Sequence, residues 1–97
     1  MKHYYMVSLV KNGLLGGGLT ADEQAITYHT GKVTVPKEYR HLQMNYSEIR
    51  KASMGRLFVL PTITVQMKNG EAYTFAVFFA GKRLMNTLRT KGVDTEL

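Results

Sequence analysis

The sequence predicts a mainly β barrel or sandwich of about seven antiparallel strands, capped by one C-terminal α-helix. Three observations predict it. Short stretches of alternating apolar and polar residues recur along the first eighty positions, the period of half-buried strands. Turn-forming residues separate them, as in Lys11-Asn12-Gly13 and Lys68-Asn69-Gly70-Glu71. After Gly81 the apolar period changes to that of a helix. The 97 residues suffice for a single domain, 1–97, with one modest core.

The elements follow in order. In 3–10, His3, Tyr5, Val7 and Leu9 share one face, and Tyr4, Met6, Ser8 and Val10 the other. Lys11-Asn12-Gly13 makes the first turn, because Asn and Gly accept positive φ at little cost. Segment 14–20 is the second strand. Its Gly16-Gly17-Gly18 run signals a bulge, a bend or a close backbone approach. Ala21-Asp22-Glu23 turns the chain into a third strand, 24–30, with Ile26 and Tyr28 inward. The longest connection runs from Thr30 to Arg40, and Val33-Thr34-Val35 are able to extend a strand into it. His41 to Tyr46 is the fourth strand, Ser47-Glu48-Ile49 a tight corner, and Arg50 to about Phe58 the fifth strand.

Strands 60–67 and 72–79 form the clearest hairpin. Ile63, Val65 and Met67 make one apolar row, and Tyr73, Phe75, Val77 and Phe79 the other. A two-residue Asn-Gly loop puts these rows on opposite faces. A three-residue loop brings them together, which predicts Val65 opposite Phe75 and Gly70 in a left-handed bulge. In 81–91, Leu84, Met85 and Leu88 lie at helical spacing. Gly92 stands where a helix C-terminal glycine belongs, and Arg89 and Lys91 suit the dipole of the last turn. Beyond it, Asp94 is expected in a frayed tail.

This order of elements resembles the pleckstrin-homology (PH) superfold, and within it the GRAM and bacterial PH-like branch. Four stretches carry the resemblance: 18–28, the corner Asn45-Tyr46-Ser47-Glu48-Ile49, the hairpin 63–75, and the closing helix. The resemblance implies a non-enzymatic module that binds phosphoinositides, acidic membranes, or protein and peptide ligands. Its lipid site would lie among the loops after strands 1, 3 and 6, here Lys11-Asn12-Gly13, Thr30–Arg40 and Lys68-Asn69-Gly70. The family's phosphoinositide signature continues with basic residues on strand 2. Here no Lys or Arg follows Lys11 until Lys32, so that half of the signature is missing.

The charge balance bears on partners. Thirteen Lys and Arg against seven Asp and Glu give +6 and a pI near 9.7, which favours an anionic partner. From Lys32 to Arg56 there are six basic residues against Glu38 and Glu48. The expected ligand-binding loop surface comprises Lys11, Lys32, Lys37, Arg40, His41 and Lys68, docking on an acidic lipid headgroup or an acidic protein partner. The competing reading is a solvated basic surface that keeps the domain soluble. The alternative function is a protein–protein or homo-oligomerisation module using the groove between strand 5 and the helix, by strand addition. The apolar runs Phe58-Val59-Leu60 and Ala76 to Ala80 motivate it, unless the helix covers them. A nucleic-acid binder ranks third, since no RNP sequence, helix-turn-helix or zinc finger is present.

Enzyme chemistry is not expected. His3, His29 and His41 are the only histidines, none on a nucleophile turn. No catalytic residue, cofactor or metal site is assigned: Cys is absent and no histidine pair has metal-binding helical spacing. His29 and His41 are placed to meet across neighbouring strands. Gly16-Gly17-Gly18 lacks the Lys-Ser/Thr of a phosphate loop. No run is long enough to span a bilayer as a helix, no signal peptide is evident, and the lack of Cys fits a reducing compartment. The expected location is cytoplasmic or peripheral to a membrane.

Overall fold

A computed structural model, described for residues 3–11 and 13–96, has eight strands and one α-helix. The strands are β1 (His3–Val10), β2 (Leu14–Ala21), β3 (Ala25–His29), β4 (His41–Asn45), β5 (Ile49–Leu57), β6 (Leu60–Met67), β7 (Ala72–Val77) and β8 (Thr95–Glu96). The helix α1 spans Gly81–Thr90. The sheet order is β4-β3-β2-β1-β7-β6-β5-β8. Every neighbouring pair is antiparallel except β5 with β8. The first turn's Asn12 lies outside the described residues.

One core joins both halves of the sheet. Tyr5, Val7 and Leu9 meet Ile26, Tyr28, Ile63, Val65, Phe75 and Val77, and Leu84, Met85 and Leu88 of α1 close it. Rings of Tyr28 and Phe75 sit 5.6 Å apart, tilted at 41°, an attractive aromatic geometry. Ile26 and Tyr28 face inward as expected. The glycines of β2 stay in unbroken register with β1, so they mark close approach and not a bulge. A Cβ on Gly17 would lie 2.6 Å from the His29 carbonyl oxygen.

Several boundaries differ from the sequence expectation. β3 starts at Ala25 because the Asp22 carboxylate accepts the N–H groups of Gln24 (2.8 Å) and Ala25 (2.9 Å), which holds the turn open one residue longer. Val33-Thr34-Val35 extends no strand. Val35 is buried, Val33 is exposed, and Arg40 draws their carbonyls together. A 3-10 turn, Lys37–Tyr39, follows Pro36, and a second, Tyr46–Glu48, forms the corner before β5.

The β6–β7 hairpin has the expected three-residue loop, with Gly70 at φ +96°. The Met67 N–H donates to the Glu71 carbonyl (2.7 Å) and the Gly70 N–H to that of Met67 (3.1 Å). The loop residues are Lys68-Asn69-Gly70, however, so Val65 opposes Tyr73 and Ile63 opposes Phe75. Both registers bring the apolar rows together. The expected pairing of Val65 with Phe75 is off by two residues, because face parity cannot choose between two loops of equal length.

The C-terminal residues also depart from expectation. Gly92 takes φ +88°. Its N–H donates to Arg89 and that of Val93 to Leu88, both at 3.0 Å, a Schellman motif with buried Val93 against Leu88. Asp94 is not frayed: its carbonyl accepts the Ala52 N–H (2.8 Å). Thr95 and Glu96 then run parallel to Ala52 and Ser53, adding the eighth strand.

Candidate functional site

Exposed apolar residues gather around the β5–β6 turn and the β7–α1 connection. Leu57 pairs with Leu60, leaving Phe58 and Val59 as a two-residue hairpin loop, 89% and 86% exposed. Phe58 has φ +57°, and of the two only Phe58 is positive. That is the pattern of a type II′ turn, whose first position belongs to glycine. A left-handed conformation costs a non-glycine residue roughly 1–2 kcal/mol. The chain thus places a large apolar side chain in solvent at a conformational cost.

Phe78 and Phe79 continue beyond β7, and Phe79 is 71% exposed. The Phe78 N–H donates to the Met6 carbonyl (3.4 Å), which puts Phe78 beside Met6. Ala80, at φ +63°, starts α1 without a side-chain cap. Exposed Lys82 and Arg83 fill the first helical turn, and exposed Arg56 precedes the Phe58 turn. No carboxylate occurs from 50 to 70 or from 72 to 93. Among the described residues, none of Lys32, Arg56, Lys82 and Arg83 has an acidic partner.

Next to Phe78 lies a cleft of about 540 Å³ on the outer face of β1 and β2. Gly16, Gly17 and Gly18 form its floor, with Tyr4, Met6 and Phe78 as apolar walls and Lys32 at the rim. The Tyr4 ring lies so close over Gly18 that a Cβ there would collide with it.

The expected loop residues do not share one cavity. Lys32 lines this cleft. Lys68 lines another, of about 520 Å³, with Glu23, Tyr46 and Lys91. Lys11 sits over the Tyr39 ring, 5.2 Å from its centroid. Arg40 is engaged by its own loop: its guanidinium donates to the carbonyls of Val35 (2.7 Å) and Val33 (2.9 Å). Lys37 is exposed on the 3-10 turn. His41 opposes His29 directly across β3 and β4, and both are exposed. Among the described residues no third ligand joins them in a metal-binding group.

The second cavity is closely hydrogen-bonded. Lys91 Nζ reaches the Glu23 carboxylate at 3.2 Å, and that bond holds Glu23 below its ordinary pKa. The Tyr46 hydroxyl donates to the Asp22 carbonyl (2.8 Å). Burial foremost, then the Asp22 charge, pushes its pKa up to about 12. Tyr73, on β7, is pushed to about 12 by burial and by its hydrogen bond to Glu71 (2.8 Å).

Charge in the sequence points to the loops and leaves Arg56, Lys82 and Arg83 unassigned, while the phenylalanines beside them enter only the alternative reading of a protein-binding surface. The available signal was an apolar dipeptide at a hairpin turn with a basic residue two positions before it.

No family model matches the chain, and no curated protein matches it. Among solved structures, the C-terminal domain of an unknown protein from Leishmania infantum superposes with a TM-score of 0.75 at 13% identity. The match covers 92% of this chain and 80% of that one. At that identity it shows a shared fold. Among the described residues no helix is long and apolar enough to cross a membrane.

Proposed function

We propose that this chain is a non-catalytic, PH/GRAM-like binding module that docks peripherally on acidic membranes. Phe58, Val59 and Phe79 enter the headgroup region while Lys32, Arg56, Lys82 and Arg83 meet anionic lipid. The observation that carries this reading is the almost fully exposed Phe58-Val59 turn, kept at a positive φ that glycine would adopt without strain. Apolar burial supplies one part of the binding energy, about 25 cal/mol per Å² removed from water. Each basic residue near an anionic surface adds about 1 kcal/mol. The docking surface therefore differs from the expected loops, retaining Lys32 from that set.

The alternative strand addition at β5 is less well supported, because β8 already pairs with Ala52 and Ser53. A second copy covering the same phenylalanines, or an acidic protein meeting the same cations, remain outcomes of the test. Co-sedimentation with phosphatidylcholine vesicles, with and without phosphatidylserine, is the experiment. The protein should pellet with the acidic vesicles and more weakly as salt rises. Phe58→Ser/Val59→Ser should abolish pelleting at unchanged fold. Failure to pellet, with concentration-dependent dimerisation lost in the same variant, would transfer the surface to a second copy.

A further inference from the structure

The glycine-floored cleft contains a polar group that the fold does not use. Ser8 points outward on β1 between Met6 and Val10, yet it is only 5% exposed. Among the described residues its hydroxyl has no hydrogen-bond partner, and Ser8 lines the cleft. Among the described residues no buried side-chain N or O atom lacks a partner, so this unbonded hydroxyl is reached from the cleft and is free to donate to a ligand there. A point 3.8 Å from Ser8 Oγ, where a Gly16 Cβ would stand, lies 3.1 Å from Lys32 Nζ. The missing side chain thus leaves an O–H donor and an unpaired ammonium facing the same small space. Tyr4, Met6 and Phe78 wall that space with apolar surface, and Phe78 leads directly to exposed Phe79.

We infer that this cleft is the headgroup site of an anionic phospholipid. The Lys32 ammonium and Ser8 hydroxyl hold a phosphate oxygen by charge-assisted hydrogen bonding. Met6 and Phe78 take the glycerol and first acyl carbons, and the acyl chains continue toward the Phe58–Phe79 end. The glycines admit the phosphate because any side chain at 16 would occupy its place. This inference rests on the membrane-docking reading and names its headgroup site.

The test uses short-chain phosphatidic acid below its micellar concentration, followed through backbone amide resonances, with inorganic phosphate as a second titrant. Phosphatidic acid should shift the Gly16, Gly17 and Gly18 amides. Lys32→Ala should weaken it roughly tenfold, the effect of one charge-assisted contact. Ser8→Ala should weaken it by about fivefold, and Gly16→Ala, whose methyl group fills the phosphate's place, by more than Lys32→Ala does. Lys37→Ala should change nothing. Unmoved glycine amides, or equal losses for Lys32→Ala and Lys37→Ala, overturn the site, as would inorganic phosphate binding as tightly as the lipid. The readout needs no vesicles: pelleting with silent glycine amides sinks the cleft alone, and shifted amides without pelleting sink the docking reading alone.

Discussion

The two ends of α1 are finished in opposite ways. At the C-terminal end Gly92 adopts the left-handed conformation it alone accepts freely, Val93 packs under Leu88, and Lys91 pairs with Glu23. Nearby, the Asp22 carboxylate caps its own turn and Tyr46 donates to the Asp22 carbonyl. At the N-terminal end Ala80 sits at positive φ without a side-chain cap, cations occupy the first turn, and Phe79 and the neighbouring Phe58 turn face solvent. One end satisfies each local rule of stability; the other breaks several at once. Concentrated violation of this kind is expected where a protein keeps a surface for a partner.

The comparison can be tested by substitution. The largest effect should come from the core common to both ends: Phe75→Ala removes a fully buried ring and should cost about 3–5 kcal/mol in denaturant unfolding. Gly92→Ala should cost about 1 kcal/mol, since alanine must adopt φ +88° to keep the cap. At the other end the sign reverses. Phe58→Gly and Ala80→Gly should each raise stability, by up to about 1 kcal/mol, as backbone strain is relieved. Phe58→Gly should also lose vesicle pelleting, so stability and binding would move in opposite directions. A loss of stability in Phe58→Gly would show that the exposed ring makes folded-state contacts and would break the comparison. The smallest effect should be Lys91→Ala, whose exposed pair with Glu23 should leave the melting temperature almost unchanged.

High pH supplies a further check. Tyr46 and Tyr73 titrate near 12 in the folded protein and near 10 when unfolded. Between those values the native state holds protons that the unfolded chain has released, so stability falls as pH rises. Their contribution is complete below pH 10 and lost by about 12. Ultraviolet titration of the tyrosines alongside unfolding should show both changes over the same range, and Tyr46→Phe should reduce the slope.

Much of the fold was legible because alternation and turn chemistry are local. The grouping of Tyr4, Met6 and Ser8 on one face of β1, the Gly70 turn and the Leu84-Met85-Leu88 stripe all follow from spacing, though spacing does not say which face of β1 points outward. Where several geometries satisfy one pattern, legibility ended: two three-residue loops give the same face parity, so the β6–β7 register slipped by two. β8 was not visible because two residues have no period. The site was harder to read, since sequence charge does not reveal convergence or prior engagement. Arg40 looks available until its own loop carbonyls are seen to hold it. Ser8 looks like an ordinary solvent-facing strand residue until its cross-strand partner, Gly16, proves to leave its largely covered side chain opening into the cleft.

The parallel pairing of β8 with β5 has a kinetic consequence. Ala52 donates its amide to Asp94, more than forty residues away, and that bond requires α1 to be docked with its C-terminal turn complete. Contacts so distant in the chain form late when they depend on a preceding docking step. The Ala52 amide should therefore gain protection from hydrogen exchange after the β5–β6 ladder amides beside it. In the native state it should exchange whenever the C-terminal segment lifts, even while the sheet remains intact. A single amide thus records the opening of that segment separately from unfolding of the domain.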